Sequence, residues 1–142
     1  MKKRILMVDD ESAILFAYKK ILQHPDIVID AVESREEALS LLQKNSYQAV
    51  ILDLRLHGSN GEEGFELINT IRDKYCQSKI IMITAYGTPE IKAKAYRLGA
   101  DYYFEKPIST RIIQNALEDS GIPTLPVHNG HEQNLRRSAD GG

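Results

Sequence analysis

Short runs rich in β-branched or aromatic residues, at 5–8, 27–32, 49–52, 80–84 and 101–104, alternate along the chain with helix-length segments. Runs of this length and composition read as strands. Between them, Ile14, Leu15, Tyr18, Ile21 and Leu22 fall on one helical stripe, Ala38, Leu41 and Leu42 on a second, and Leu67, Ile68, Ile71 and Tyr75 on a third. Each stripe can cover one face of a sheet. Strand–helix–strand crossovers are right-handed, so the alternation implies five parallel strands and five helices, with helices on both sheet faces. Local signals agree: Ser34 with Glu37 forms a capping box, Thr88-Pro89 is an N-cap followed by proline at the first helical position, and Gly99 suits a helix stop.

Four of the runs end in a polar residue: Met7-Val8 in Asp9-Asp10, Ile51-Leu52 in Asp53, Met82-Ile83 in Thr84, and Tyr103-Phe104 in Glu105-Lys106-Pro107. In an open α/β sheet the carboxyl ends of parallel strands share one rim, and ligands bind in the crevice beyond it. Three carboxylates, a hydroxyl and an ammonium would therefore meet there. Singly, each has a plainer reading. Acidic residues at strand ends often cap the following helix, and a lysine before a proline is commonly a surface residue. Together they form an acidic pocket whose carboxylates repel one another unless a cation neutralises them, and hard oxygen donors suit Mg²⁺. A carboxylate at the centre of such a pocket can attack a phosphoryl group and form an aspartyl phosphate. Asp53 is best placed for that role.

The 142-residue length allows one domain, here 1–120, followed by a tail or linker over 121–142 that lacks any periodicity able to bury a face. The net charge of −2 gives no global pull toward nucleic acid or anionic membrane, so direct nucleic-acid binding is not expected. No apolar run reaches the roughly 18 residues of a membrane span, and Met1-Lys2-Lys3-Arg4 leads into only about four apolar residues, so a cytoplasmic protein is expected. The single cysteine, Cys76, reads as a packing residue.

The segments Val8-Asp9-Asp10-Glu11, Leu52-Asp53-Leu54-Arg55-Leu56, Ile83-Thr84-Ala85 and Lys106-Pro107 resemble the receiver domain of two-component response regulators, over about residues 4 to 119. The resemblance implies the flavodoxin-like strand order 2-1-3-4-5, which spacing alone does not give. It implies Asp53 as phosphoacceptor and Thr84 and Lys106 as the groups that hold phosphoryl oxygens. It also implies Asp9, Asp10, Asp53 and the backbone carbonyl of Arg55 as ligands of Mg²⁺ or Mn²⁺. Tyr103 resembles the family's mobile aromatic, whose inward turn accompanies movement of Thr84, and the Lys106-Pro107 bond is expected to be cis. A strand tyrosine half buried in the core is the plainer reading of Tyr103. The implied partners are a sensor histidine kinase or histidine phosphotransfer protein upstream and a protein target or output domain downstream. Contact would be through the fourth helix, fifth strand and fifth helix, about residues 88 to 119 with Tyr96 and Tyr102, and a phosphorylation-dependent dimer is one form. A receiver promotes its own modification and turns over no external substrate. With no further domain evident after Gly121, output through protein contact is the expectation.

The chain departs from the family pattern just after Asp53. His57 stands where the family usually has proline, and Gly58-Ser59-Asn60-Gly61-Glu62-Glu63-Gly64 is about three residues longer than the usual loop. A solvated loop histidine is the plain reading of His57, ahead of phosphate relay. The large residues Arg55 and Tyr86 occupy positions thought to tune hydrolysis, which suggests a long-lived phosphoform. A phosphatase of the haloacid dehalogenase type would need an acid two residues after Asp53, where Arg55 cannot accept a proton. A flavin-binding relative would need a glycine- and hydroxyl-rich phosphate loop after the first strand, where Asp9-Asp10-Glu11 would repel phosphate. A phosphate-independent receiver-like interaction module remains the alternative.

Overall fold

A computed structural model describes residues 2–53, 62–74, 77–85 and 87–124. The elements are β1 (Lys3–Val8), α1 (Ser12–Ile21), β2 (Ile27–Val32), α2 (Arg35–Lys44), β3 (Ala49–Leu52), α3 (Glu62–Lys74), β4 (Lys79–Thr84), α4 (Pro89–Leu98), β5 (Tyr102–Glu105) and α5 (Thr110–Asp119). The strands form one parallel sheet in the order β2-β1-β3-β4-β5, as expected from the resemblance. Register aligns Val8 with Leu52, Leu52 with Met82, and Thr84 with Glu105. The polar residues that follow the strands consequently emerge on one rim.

Strand side chains alternate between the two faces. Leu6, Val8, Val50, Leu52, Ile80 and Met82 pack with residues of α2, α3 and α4, whereas Ile5, Met7, Ala49, Ile51, Ile81 and Ile83 pack with α1 and α5. The α1 stripe is narrower than its sequence indicates: Leu15 and Leu22 are buried, but Ile21 is exposed and joins Phe16 on the solvent side. β1 and β4 each start earlier than their apolar runs, at Lys3 and Lys79. A charged side chain at a strand entrance can face water while the backbone keeps its ladder, and Lys79 N–H donates to the Gln48 carbonyl at 2.8 Å. β5 starts one residue later than expected, because the Asp101 carboxylate turns aside to accept the Ile80 N–H at 2.8 Å. Beyond α5, Ile122 is 1% exposed and belongs to the α1–α5 core, so burial continues into the segment read as tail.

The helix ends follow the sequence signals. Ser34 Oγ accepts from Glu37 N–H at 3.2 Å, while the Glu37 carboxylate accepts from the Ser34 hydroxyl and from Glu33 N–H, one residue short of a full capping box. Thr88 Oγ1 accepts from Ile91 N–H at 3.1 Å, with Pro89 opening α4. Gly99 ends α4 at φ +123°, and Arg72 of α3 lies against it so closely that a Cβ there would sit 2.7 Å from Nε. The same guanidinium donates to the carbonyls of Ser78 (3.0 Å) and Gly99 (2.6 Å) and to the Asp101 carboxylate (2.9 Å).

A second polar tie joins the edge strand β2 to the turn before β3. The buried Tyr47 hydroxyl donates to Asp30 at 2.6 Å, and burial together with this acceptor pushes the phenol up to about 12. A phenol raised in the folded state stabilises the fold fully below its ordinary value of 10.0, and that contribution is lost as pH rises through about 12. Urea unfolding across this window is expected to show a steeper alkaline loss in the wild type than in Tyr47→Phe, by on the order of 2 kcal/mol.

Candidate functional site

The rim gathers the strand-end residues because the backbone ladder runs one residue past β1 and β3. Asp9 N–H donates to the Val32 carbonyl at 3.1 Å and Asp53 N–H to the Val8 carbonyl at 3.0 Å. Both side chains thereby project from fixed backbone, and both are buried, at 6% and 4% exposure. Asp10 follows half-buried. Carboxylate oxygens of Asp9, Asp10 and Asp53 lie within 4.8 Å of one another. From β5, Lys106 enters across the rim, with Lys106 N–H donating to the Thr84 carbonyl at 2.8 Å and the Lys106-Pro107 bond cis. Its Nζ lies 2.9 Å from Asp9 Oδ2, 2.9 Å from Asp53 Oδ2 and 3.7 Å from Glu11. Thr84, fully buried, closes β4 beside them.

Burial raises the Asp9 carboxyl above its usual range and the Asp53 charge adds to this, against hydrogen bonds from the Glu11 N–H and Lys106. Burial alone would lower Lys106, but its hydrogen bonds to Asp53 and Asp9 outweigh that and hold the ammonium above its usual range. Among the described residues, Lys106 is thus outnumbered by the carboxylates around it. The donor set is all hard oxygen with an excess of negative charge, which fits a divalent cation of the Mg²⁺ type.

The structure brings together Asp9, Asp10, Asp53, Thr84 and Lys106, as their placement at strand ends requires. Arg55, His57, Tyr86, Cys76 and residues 125–142 lie outside the described residues. Tyr103 is buried, not half-buried, at 6% exposure, with its ring 6.4 Å from that of Tyr96 and Lys92 Nζ 6.0 Å above it. Tyr96 is exposed on α4, and Tyr102 stacks on Phe104 at 6.1 Å. Two residues near the pocket were given no site role by sequence reasoning. Glu11 approaches Lys106, a contact its adjacency to the acidic pair could have suggested, and Tyr18 lines the floor with Leu15 and Ile83. A wider cavity of about 420 Å³ lies elsewhere, between Lys19, His24, Pro25, Ile27 and Ile29, and none of the rim residues lines it.

Residues 5–118 match the family model described as the response regulator receiver domain. This chain belongs to that family. Receiver domains are phosphorylation-activated signalling switches of two-component response regulators, working with kinases and output domains. The receiver fold here superposes on a CheY-like receiver domain protein from Methanospirillum hungatei JF-1 with a TM-score of 0.76 at 28% identity, covering 84% of this chain and 93% of that one. The non-phosphorylated HemR receiver domain from Leptospira biflexa gives a TM-score of 0.75 at 28% identity, covering 89% and 100%. Transcriptional regulatory protein ResD of Bacillus subtilis is 33% identical over 76% of this receiver chain and 43% of its own length. The chain spans between 26% and 66% of the length of the curated relatives FleR, ResD and RegA. Among the described residues no helix of this receiver is long and apolar enough to cross a membrane.

Proposed function

We propose that Asp53 is the phosphoacceptor of this receiver, taking a phosphoryl group from a phosphohistidine on a sensor kinase or phosphotransfer protein. The observation that carries this reading is the shared hold of Lys106 on Asp9 and Asp53 at 2.9 Å each, in a pocket where, among the described residues, carboxylates outnumber ammonium groups. Asp9, Asp10 and Asp53 would hold Mg²⁺ or Mn²⁺, joined by the Arg55 carbonyl. When bound, such a cation neutralises charge developing on the phosphoryl oxygens. The protein's own contribution is positional. The backbone that continues from β3 would position the Asp53 carboxylate for attack, Lys106 would follow the charge from carboxylate to phosphoryl oxygen, and the Thr84 hydroxyl would donate to another of those oxygens. The P–O bond to Asp53 forms as the P–N bond to the donor imidazole breaks.

Thr84 and Tyr103 form the switch pair in this reading: an added phosphoryl group draws Thr84 and biases Tyr103 between two packings, shifting an existing equilibrium at α4, β5 and α5. The domain is residues 1–120 with its core extended through Ile122, and the residues that follow act as a tail or linker. The receiver accelerates only its own modification, works in the cytoplasm, delivers its output through a protein target or linked output domain, and dimerises upon phosphorylation. Intact mass after incubation with a small-molecule phosphodonor tests the chemistry. One added phosphoryl group with Mg²⁺, and none after chelation, is expected; no gain by folded protein would favour the phosphate-independent interaction module.

A further inference from the structure

Gly87 stands in the loop between Thr84 and α4, and the space where a side chain would begin is already taken. A Cβ built on Gly87 would lie 1.8 Å from the Tyr103 hydroxyl, 3.0 Å from its Cζ and 3.5 Å from Cδ of Glu105. Its three nearest neighbours are thus all side-chain atoms. Gly87 is not among the positive-φ glycines, which are Gly99 and Gly121, so the backbone there accommodates an L residue. Among the described residues, what a side chain would meet too closely is the outer end of Tyr103.

The ring itself is poised. It is 6% exposed and shares a core cluster with Ala95 and Ile91 of α4, which favours the inward position. Its hydroxyl is buried with no hydrogen-bond partner among the described residues, and an unsatisfied buried hydroxyl carries a desolvation penalty that an outward turn into water relieves. Opposed terms of this kind leave an equilibrium that a single methyl group can tip.

We propose that residue 87 sets the ratio of inward to outward Tyr103, and that glycine at this position is what admits the ring beside the Thr84 loop. The inference rests on the reading of Thr84 and Tyr103 as the switch pair. It adds a steric control that acts without touching the acidic pocket. A Cβ at 87 makes the outward ring the resting state, and occupation of the pocket then reaches α4 with less effect.

The test compares the full chain with Gly87→Ala, both carrying tyrosine labelled with ¹³C at the ε positions. The Tyr103 signal is identified among the seven tyrosines by its loss in Tyr103→Phe. Broadening by a soluble paramagnetic agent reports ring exposure, and ¹⁹F signals of bound beryllofluoride report the pocket independently. In unliganded Gly87→Ala the inward population is expected to fall about tenfold or more, with beryllofluoride and Mg²⁺ still bound. An unchanged Tyr103 signal in Gly87→Ala would overturn the proposal, since something other than the ring would then have yielded. In urea unfolding, Gly87→Ala should cost less in the Tyr103→Phe background than in the wild type, because the 1.8 Å contact is with the hydroxyl. Equal costs would also overturn it. Failure of the switch reading has a separate signature. Wild-type protein whose bound beryllofluoride leaves Tyr103 unmoved would remove the regulatory half, while the unliganded comparison still decides the steric half.

Discussion

Asp53→Asn is expected to eliminate phosphoryl uptake, with no mass gain from a small-molecule phosphodonor under conditions that modify the wild type. The amide keeps the shape of the carboxylate but is a far weaker nucleophile, and it removes one of three negative charges from the pocket. The fold should survive, because Asp53 N–H still donates to the Val8 carbonyl and the charge repulsion on Asp9 falls. A second readout separates the two roles of this residue. Divalent cation affinity, measured by the rise in melting temperature with added Mg²⁺, should weaken but persist through Asp9 and Asp10. Retention of full mass gain in Asp53→Asn would move the acceptor elsewhere in the acidic cluster and sink the assignment.

Lys106→Met should affect both stability and transfer. Its side chain is only 13% exposed and its ammonium is shared between Asp9 and Asp53, so its loss leaves the clustered carboxylates with no facing cation among the described residues. Breaking a fully buried pair costs about 3–5 kcal/mol, but this pocket opens to solvent on one side, and a loss of about 1–2 kcal/mol in Mg²⁺-free urea unfolding is the expected result. Mg²⁺ should then stabilise the variant more than the wild type, because ammonium and metal compete for the same oxygens. Phosphoryl uptake should nevertheless fall sharply, since nothing follows the charge onto the transferred group. A variant as stable as the wild type without Mg²⁺ would show that the Lys106 contacts contribute nothing net.

The strand-end residues were legible because a buried parallel strand leaves little choice: its interior must be apolar, and Asp9, Asp53 and Thr84 each mark where the run stops. Ser34, Thr88 and Gly99 were legible for a related reason, since caps depend on neighbours within four residues. The strand order was not legible from spacing and came only through the family resemblance. Contacts between residues distant in sequence were equally hidden. Nothing near Tyr47 points to Asp30, nothing near Arg72 points to Gly99, and Gly87 gives no sign that the Tyr103 hydroxyl fills the place of its missing side chain. Ile122 reads as linker beside Pro123, yet it reaches the core because the turn after α5 returns its N–H to the Leu117 carbonyl at 2.9 Å.

Arg72 gives α4 one anchored end. Its hydrogen bonds to Gly99 and Asp101 hold the carboxyl end of the helix to α3 and to the start of β5, while the amino end begins at Thr88, next to the loop that carries Gly87. A ten-residue helix is about 15 Å long. A tilt of roughly 10° about Gly99 therefore carries the Thr88 end through about 2.5 Å and leaves the far end in place. With its carboxyl end held in this way, any such tilt of α4 would change the slope of a whole surface rather than its position.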